Sequence, residues 1–333
     1  MEPYADVVSQ YEEFAAASGD SPCFEDWSRK VCGDTEVQQW IATLPGLKRQ
    51  PNLVFAAARW HGVRAPGPYA GLRDALLGDD GTIRATIMER ATQTNEVGRL
   101  ATLAPWFARL GPQPLSLLEV GASAGLCLYP DRWSYGWRTD GGLVEAGAGP
   151  RLECRVQGAF PEQVGLAEVA WRGGLDLHPL SVDDPDQMAW LANLVWPEQD
   201  ERRSRLATAI GIARADPPHV RTGDLLTDLP ELVDEAAGHG TVVVFHSAVI
   251  AYLEGADRER FHDQMMGLVT DGRCHWVSNE GKGVLPRVTR TGPEVPEALT
   301  TFVLGVDGQA VAWTHGHGAV MRTLGRPPGS MLG

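Results

Sequence analysis

Cysteine is scarce and scattered in this chain. Five cysteines stand among 333 residues, at Cys23, Cys32, Cys127, Cys154 and Cys274. The odd count and the lack of any Cys-x-x-Cys pair exclude a disulfide framework or a zinc knuckle as the organising feature. A reduced, cytoplasmic setting is therefore the simplest expectation. Long apolar runs are also missing. None reaches the length that spans a bilayer, so no membrane association is expected. No basic stretch with an apolar core opens the chain, so no secretory signal is expected. Positive charge is in deficit, with 29 Lys and Arg against 43 Asp and Glu and a formal net charge of −14. Such a surface repels a phosphate backbone, which argues against nucleic acid as a main partner. No repeat or low-complexity tract is visible.

The first 112 residues lack runs of alternating β-branched residues and show helical spacing instead. Apolar residues recur at helical intervals over Tyr4–Ala17, Glu36–Leu44, Pro51–Trp60, Gly71–Leu77 and Glu96–Leu110. Breakers such as Gly19-Asp20-Ser21-Pro22 and Ala65-Pro66-Gly67-Pro68 separate them. From Leu115 onward strands alternate with helices, which predicts a largely parallel sheet. Strands are expected at Leu115–Val120, Val169–Leu177, Val220–Gly223, Thr241–Phe245 and His275–Ser278. Helices are expected at Gln187–Ala215 and Arg258–Thr270, and a hairpin around Asp307-Gly308. The expected organisation is a helical cap region over 1–112 and an α/β domain over 113–324. The Gly-, Trp- and Arg-rich segment 130–158 is an insertion in that domain, and 325–333 is a frayed tail.

The most informative stretch is Leu115-Ser116-Leu117-Leu118-Glu119-Val120-Gly121-Ala122-Ser123-Ala124-Gly125. It reads as a buried strand, an acid, then a Gly-x-Ser-x-Gly turn opening a helix. Two chemistries use such a turn. One cradles a nucleotide-like cofactor: Gly121 and Gly125 allow tight backbone, and Ser123 lines the loop. The other exposes Ser123 as the nucleophile of a serine hydrolase, with His315 or His317 completing the order Ser, Asp, His. A hydrolase elbow follows several strands, whereas this turn follows the first one, so the cofactor expectation leads. The strand ends then define the ligand edge: Glu119, Asp176, Gly223 with Asp224, and His246 with Ser247.

In order and identity these residues resemble a class I S-adenosylmethionine-dependent methyltransferase. The resemblance implies that Glu119, Gly121 and Gly125 hold the methionine part, Asp176 the ribose hydroxyls, and Gly223-Asp224 the adenine. It also implies a doubly wound, mostly parallel, Rossmann-like sheet. Two features depart from that pattern. Ser123 stands where the commonest motif has its middle glycine, and the second strand comes late. A resemblance to the bacterial family called domain of unknown function 2332 covers nearly the whole chain. It rests on Thr94-Asn95-Glu96-Val97-Gly98-Arg99, Glu119–Leu126, Asp176-Leu177-His178-Pro179, Val195-Trp196-Pro197-Glu198-Gln199 and Val244-Phe245-His246-Ser247. It implies a methyltransferase-like fold and no established substrate.

The cofactor expectation is therefore S-adenosylmethionine, with a small molecule as methyl acceptor. Arg99 is expected to pair with the methionine carboxylate, because a guanidinium matches a carboxylate bidentately. Glu96 is expected to face the acceptor. His246 is the candidate general base, since imidazole titrates near neutral pH. His315-Gly316-His317 offers two imidazoles but no third ligand at diagnostic spacing, so no metal is expected. Trp133, Trp137 and Trp196 are candidates to line a pocket for a flat substrate. A ligand-binding protein of this fold without turnover is the remaining alternative.

Overall fold

The computed structural model describes residues 6–93 and 95–325. The chain divides into two compact units, Met1–Thr94 with Asp184–Ala207, and Asn95–Asp183 with Thr208–Gly333.

The first unit is helical. It holds α1 (Val7–Ala17), α2 (Pro22–Val31), α3 (Thr35–Ala42), α4 (Pro51–Trp60), α5 (Tyr69–Leu77) and α6 (Thr82–Glu89). The capping residues are legible in sequence. Asp6, Ser21 and Asp34 each accept a backbone N–H of the first turn of α1, α2 and α3. Phe14, Phe24, Trp27, Phe55 and Trp196 pack edge-on or stacked into an aromatic centre. Trp196 lies between α8 (Pro185–Leu194) and α9 (Asp200–Ala215), which the sequence suggested as one helix. Pro197 explains the break, because its ring and missing N–H interrupt helical bonding. Glu198 beside it accepts the Cys23 N–H at 2.8 Å. The Val195–Gln199 motif is thus tied to this unit's helices through Trp196 and Glu198. The helices α2 and α6 were not anticipated: α2 follows the Ser21-Pro22 start signal, which reads equally as a breaker.

The second unit opens with a 3-10 turn over Val97–Arg99 and α7 (Leu100–Phe107). Its strands are β1 (Leu115–Val120), β2 (Ser134–Thr139), β3 (Gly142–Ala146), β4 (Arg151–Gln157), β5 (Val169–Asp176), β6 (His219–Thr222), β7 (Thr241–Ser247) and β8 (His275–Gly281). The helix α10 (Leu229–Ala236) precedes β7, and α11 (Gly255–Thr270) precedes β8. A short α12 (Pro286–Thr289) leads to β9 (Phe302–Val306), β10 (Gln309–Thr314) and β11 (Val320–Thr323). The eleven strands form one sheet, in the order β3-β2-β4-β11-β10-β9-β8-β7-β1-β5-β6. The block β8-β7-β1-β5-β6 is entirely parallel. From β1 the chain passes to β5 and β6 on one side, then to β7 and β8 on the other, so a switch point falls between β1 and β7.

One local expectation changed. No helix follows the glycine turn. The chain runs through tight turns, a 3-10 segment at Pro130–Arg132 and then β2. The inserted segment 130–158 is part of the sheet. Its strands β2, β3 and β4 extend the sheet, with β4 parallel to β11. The strand β4 shows strict alternation, with Leu152, Cys154 and Val156 buried while Arg151, Glu153 and Arg155 are exposed. The anticipated hairpin joins β9 and β10 through Asp307 and Gly308, both at positive φ as a type I′ turn requires.

The core follows strand alternation. On β1, Leu118 and Val120 belong to the apolar cluster with Leu232 and Val233 of α10 and Phe261 and Met265 of α11. The alternate set ends in Glu119. Its register neighbour Phe245 stacks edge-on with Phe107 of α7 at 5.2 Å between centroids. Glu119 therefore sits on the α7 face of the sheet, near the carboxyl end of its strand.

Candidate active site at the carboxyl edge of the sheet

The glycine turn is held by hydrogen bonds from three directions. Gly121 N–H and Ala122 N–H donate to the Leu175 carbonyl at 2.8 and 3.1 Å. The Asp176 carboxylate accepts Ser123 N–H at 2.8 Å and His178 N–H at 2.8 Å. Asn95 donates its amide to the Ser123 hydroxyl at 2.8 Å and accepts Leu126 N–H at 3.4 Å. Gly121, Ser123 and Gly125 all have positive φ, of 67°, 50° and 67°. A Cβ at Gly121 would lie 2.5 Å from the Val249 side chain, so only glycine fits this approach. The strain at Ser123 is carried by the contacts of its hydroxyl and N–H.

Glu119 is 8 % exposed, and its Oε2 is buried with no hydrogen-bond partner among the described residues. Burial pushes this carboxyl well above the ordinary glutamate range. Nearby Asp176 raises it further, while the Arg99 guanidinium opposes both. Arg99 is itself 7 % exposed. It donates Nε to the Gly316 carbonyl at 2.7 Å and Nη1 to the Ser247 carbonyl at 3.0 Å. Its guanidinium lies 5.6 Å from the Phe302 ring centre. Among the described residues it forms no ion pair with a carboxylate. A buried cation and a buried acid thus share one neighbourhood, and neither is neutralised by a direct bond to the other. Cys127 lies in the same electrostatic environment. Burial pushes its thiol up, and Glu119 adds to that.

The other anticipated residues take different places. His246 is fully buried. Its Nδ1 is 2.7 Å from Glu280 Oε1, and its Nε2 accepts the Trp276 indole N–H at 3.0 Å. That pairing puts the ring proton on Nδ1 and leaves neither nitrogen for an acceptor. The general-base expectation for His246 does not fit this geometry. An apolar strand ending in His-Ser signals an edge histidine, but cannot tell which partners the next strand brings. Glu96 is 2 % exposed and caps its own 3-10 turn, its Oε1 accepting Gly98 N–H at 3.0 Å. Asp224 is exposed and closes its own turn onto Leu226 N–H at 2.7 Å. Gly223 N–H donates to the Asp176 carbonyl at 3.0 Å. Trp133 and Trp137 are buried, and Trp137 stacks on Tyr135 and donates to the Ala101 carbonyl.

Sequence reasoning missed the strand end of β8. Ser278, Asn279 and Glu280 are all 2 % exposed or less. Glu280 Oε1 accepts Val249 N–H and Ile250 N–H as well as His246. Asn279 donates its amide to the Ser247 hydroxyl at 3.0 Å, and its carbonyl accepts Ala248 N–H. These bonds fix the Ser247–Ile250 loop that covers Gly121. Three consecutive polar residues ending an apolar strand were the available signal. Among the described residues no group of three or more His, Cys, Asp or Glu is placed to hold a metal ion. No helix among them is long and apolar enough to cross a membrane.

The Ser123 hydroxyl faces the Asn95 amide, not an imidazole. A serine nucleophile needs a base within hydrogen-bond reach. Among the described residues the partner of this hydroxyl is the Asn95 amide, which places Ser123 as an element of the turn.

A family model described as an uncharacterized protein conserved in bacteria (DUF2332) matches residues 8–322, and the chain belongs to that family. No curated protein and no solved structure matches it.

Proposed function

We propose that this protein binds S-adenosylmethionine at the carboxyl edge of β1 and transfers its methyl group to a small-molecule acceptor. The observation that carries this reading is the pair formed by Glu119 and Arg99. A buried acid without a hydrogen bond and a buried guanidinium without a carboxylate suit a zwitterionic amino-acid moiety, its ammonium toward Glu119 and its carboxylate toward Arg99. The parallel order β6-β5-β1-β7-β8 and its switch point support the same place for the ligand. The missing helix after the turn argues against a phosphate-bearing dinucleotide, which would need a helix N-terminus. A sulfonium cofactor without phosphate has no such need.

In this reading Glu119, Arg99 and the Gly121–Gly125 turn hold the amino-acid end, with Asp176 and Gly223 along the same edge. Bound there, the cofactor supplies an electrophilic methyl group. The chain's own contribution is to fix orientation and exclude water. Alignment alone lowers such a barrier substantially.

A second reading is ligand binding without turnover. It is favoured by one observation: His246, expected to act as base, and Glu96, expected to face the acceptor, are both engaged in holding structure. Calorimetric titration with S-adenosylhomocysteine tests the shared premise. Saturable binding that Glu119→Ala abolishes supports the site. The absence of binding at millimolar ligand removes both S-adenosylmethionine readings.

A further inference from the structure

The acid that ends β1 has no cation bonded to it. Among the described residues Glu119 forms no ion pair, and its Oε2 is enclosed without a hydrogen-bond donor. Each element around it brings a different group. The Val97–Arg99 turn brings Arg99, whose guanidinium is bonded to the Gly316 and Ser247 carbonyls. The strand β5 brings Asp176, which accepts Ser123 N–H at Oδ2 and His178 N–H at Oδ1. The chain after the glycine turn brings the Cys127 thiol, whose electrostatic neighbours are Glu119, Arg99 and Glu96. The helix α7, Leu100–Phe107, carries no ionisable side chain. On β7 the register neighbour of Glu119 is Phe245. His246 and its partner Glu280 belong to the opposite face, where the His246 ring packs against Phe261 at 5.4 Å between centroids. A buried carboxylate beside a second carboxylate, with neither an N–H nor a cation bonded to it, is disfavoured against its protonated form.

Resting on the S-adenosylmethionine reading, we infer that this site exchanges a proton for its ligand: Glu119 is an uncharged carboxylic acid until the ligand's ammonium group displaces its proton to solvent. The Glu119 O–H bond breaks with its electron pair staying on oxygen, and the proton passes to buffer. The ammonium N–H groups then donate to the carboxylate that remains, while the ligand carboxylate meets Arg99. All four charges are paired in that state. A Glu119 that kept its proton would leave the buried ammonium without a counter-charge. Affinity therefore rises with pH, by up to about tenfold per pH unit, until Glu119 ionises unaided. A ligand without the amino group cannot drive the exchange, so the site selects for an α-amino-acid end.

The test is calorimetry of the full chain with S-adenosylhomocysteine, in buffers of different ionisation enthalpy and from about pH 5 to about pH 7, where the ligand's ammonium stays charged. Difference infrared spectra of the same samples read the carboxyl group directly. The expected result is affinity that climbs with pH and release of about one proton per bound ligand at the acid end of the range. The ligand should also remove a protonated-carboxyl band from the wild-type spectrum. Glu119→Gln should lack that band before any ligand is added. Methylthioadenosine, which has no amino-acid end, should leave the band in place. Saturable binding of S-adenosylhomocysteine with pH-independent affinity and no proton release overturns the exchange and leaves the cofactor site standing. So does a band that persists in the complex, or one that methylthioadenosine removes equally. The absence of binding to the wild-type chain overturns both.

Discussion

Replacing Glu119 by glutamine should stabilise the unliganded protein, and do so in a pH-dependent way. The buried Glu119 carboxyl holds its proton to higher pH than the same group in the unfolded chain, whose ordinary value is near 4.5. Between the two values the folded state binds more protons than the unfolded state. The free energy of unfolding then falls as pH rises, by up to about 1.4 kcal/mol per pH unit. The contribution of Glu119 is thus fully present below pH 4.5 and is lost as pH rises through the folded value. Glutamine keeps the shape and removes the titration. Wild type and Glu119→Gln should have similar stability at low pH and diverge above it, with a difference of up to about 2.7 kcal/mol accumulating over two pH units. Urea unfolding of both proteins at a series of pH values between 5 and 7, at fixed ionic strength, measures this as the difference of two slopes. The same variant should lose affinity for S-adenosylhomocysteine, because a neutral amide cannot neutralise an ammonium. Parallel slopes for the two proteins would refute the assignment of a raised, ligand-directed acid at this position. So would a variant that is less stable than wild type throughout.

His246→Ala should act on stability rather than on the ligand. It leaves the Trp276 N–H and a buried Glu280 carboxylate without their shared partner, which costs about 3–5 kcal/mol. A large fall in the urea midpoint with unchanged affinity at saturating folded protein is expected, and a selective loss of affinity in a fully stable variant would return His246 to the site. Ser123→Ala removes only the acceptor for the Asn95 amide, a loss of about 1 kcal/mol. Fluorophosphonate labelling of the wild-type chain should be absent, and covalent labelling at Ser123 detected by mass spectrometry would restore the hydrolase alternative.

Much of the architecture was legible because it rests on local patterns. The stretch Leu115–Leu118, apolar but for Ser116, and the Val242–Phe245 run mark strands buried on both faces. The dipeptide Asp307-Gly308 marks the hairpin because positive φ is needed at both positions. The helices from α3 to α5 follow their apolar spacing. The glycine turn was placed correctly at the end of the first strand of the parallel block, and Glu119, Asp176 and Gly223 do lie on one edge.

What tertiary structure decided was the occupation of each polar group. From sequence alone His246 and Arg99 looked equally available. The structure gives His246 two bonds from side chains of β8, Glu280 and Trp276, which lie thirty or more residues further on. It gives Arg99 two backbone carbonyls and, among the described residues, no acid. The helix expected after Gly125 failed for a related reason. A glycine turn permits a helix but does not compel one, and here the chain was drawn into β2 by pairing with β4 and by the Tyr135–Trp137 stack. The meeting of His315-Gly316-His317 with Arg99 joins residues 217 positions apart. Sequence determined which residues could carry charge and turn the backbone, because those properties belong to single residues and their neighbours. Which of them were left without a partner at the carboxyl edge of the sheet was settled only when distant strands came into register, because hydrogen-bond satisfaction is a property of the packed interior.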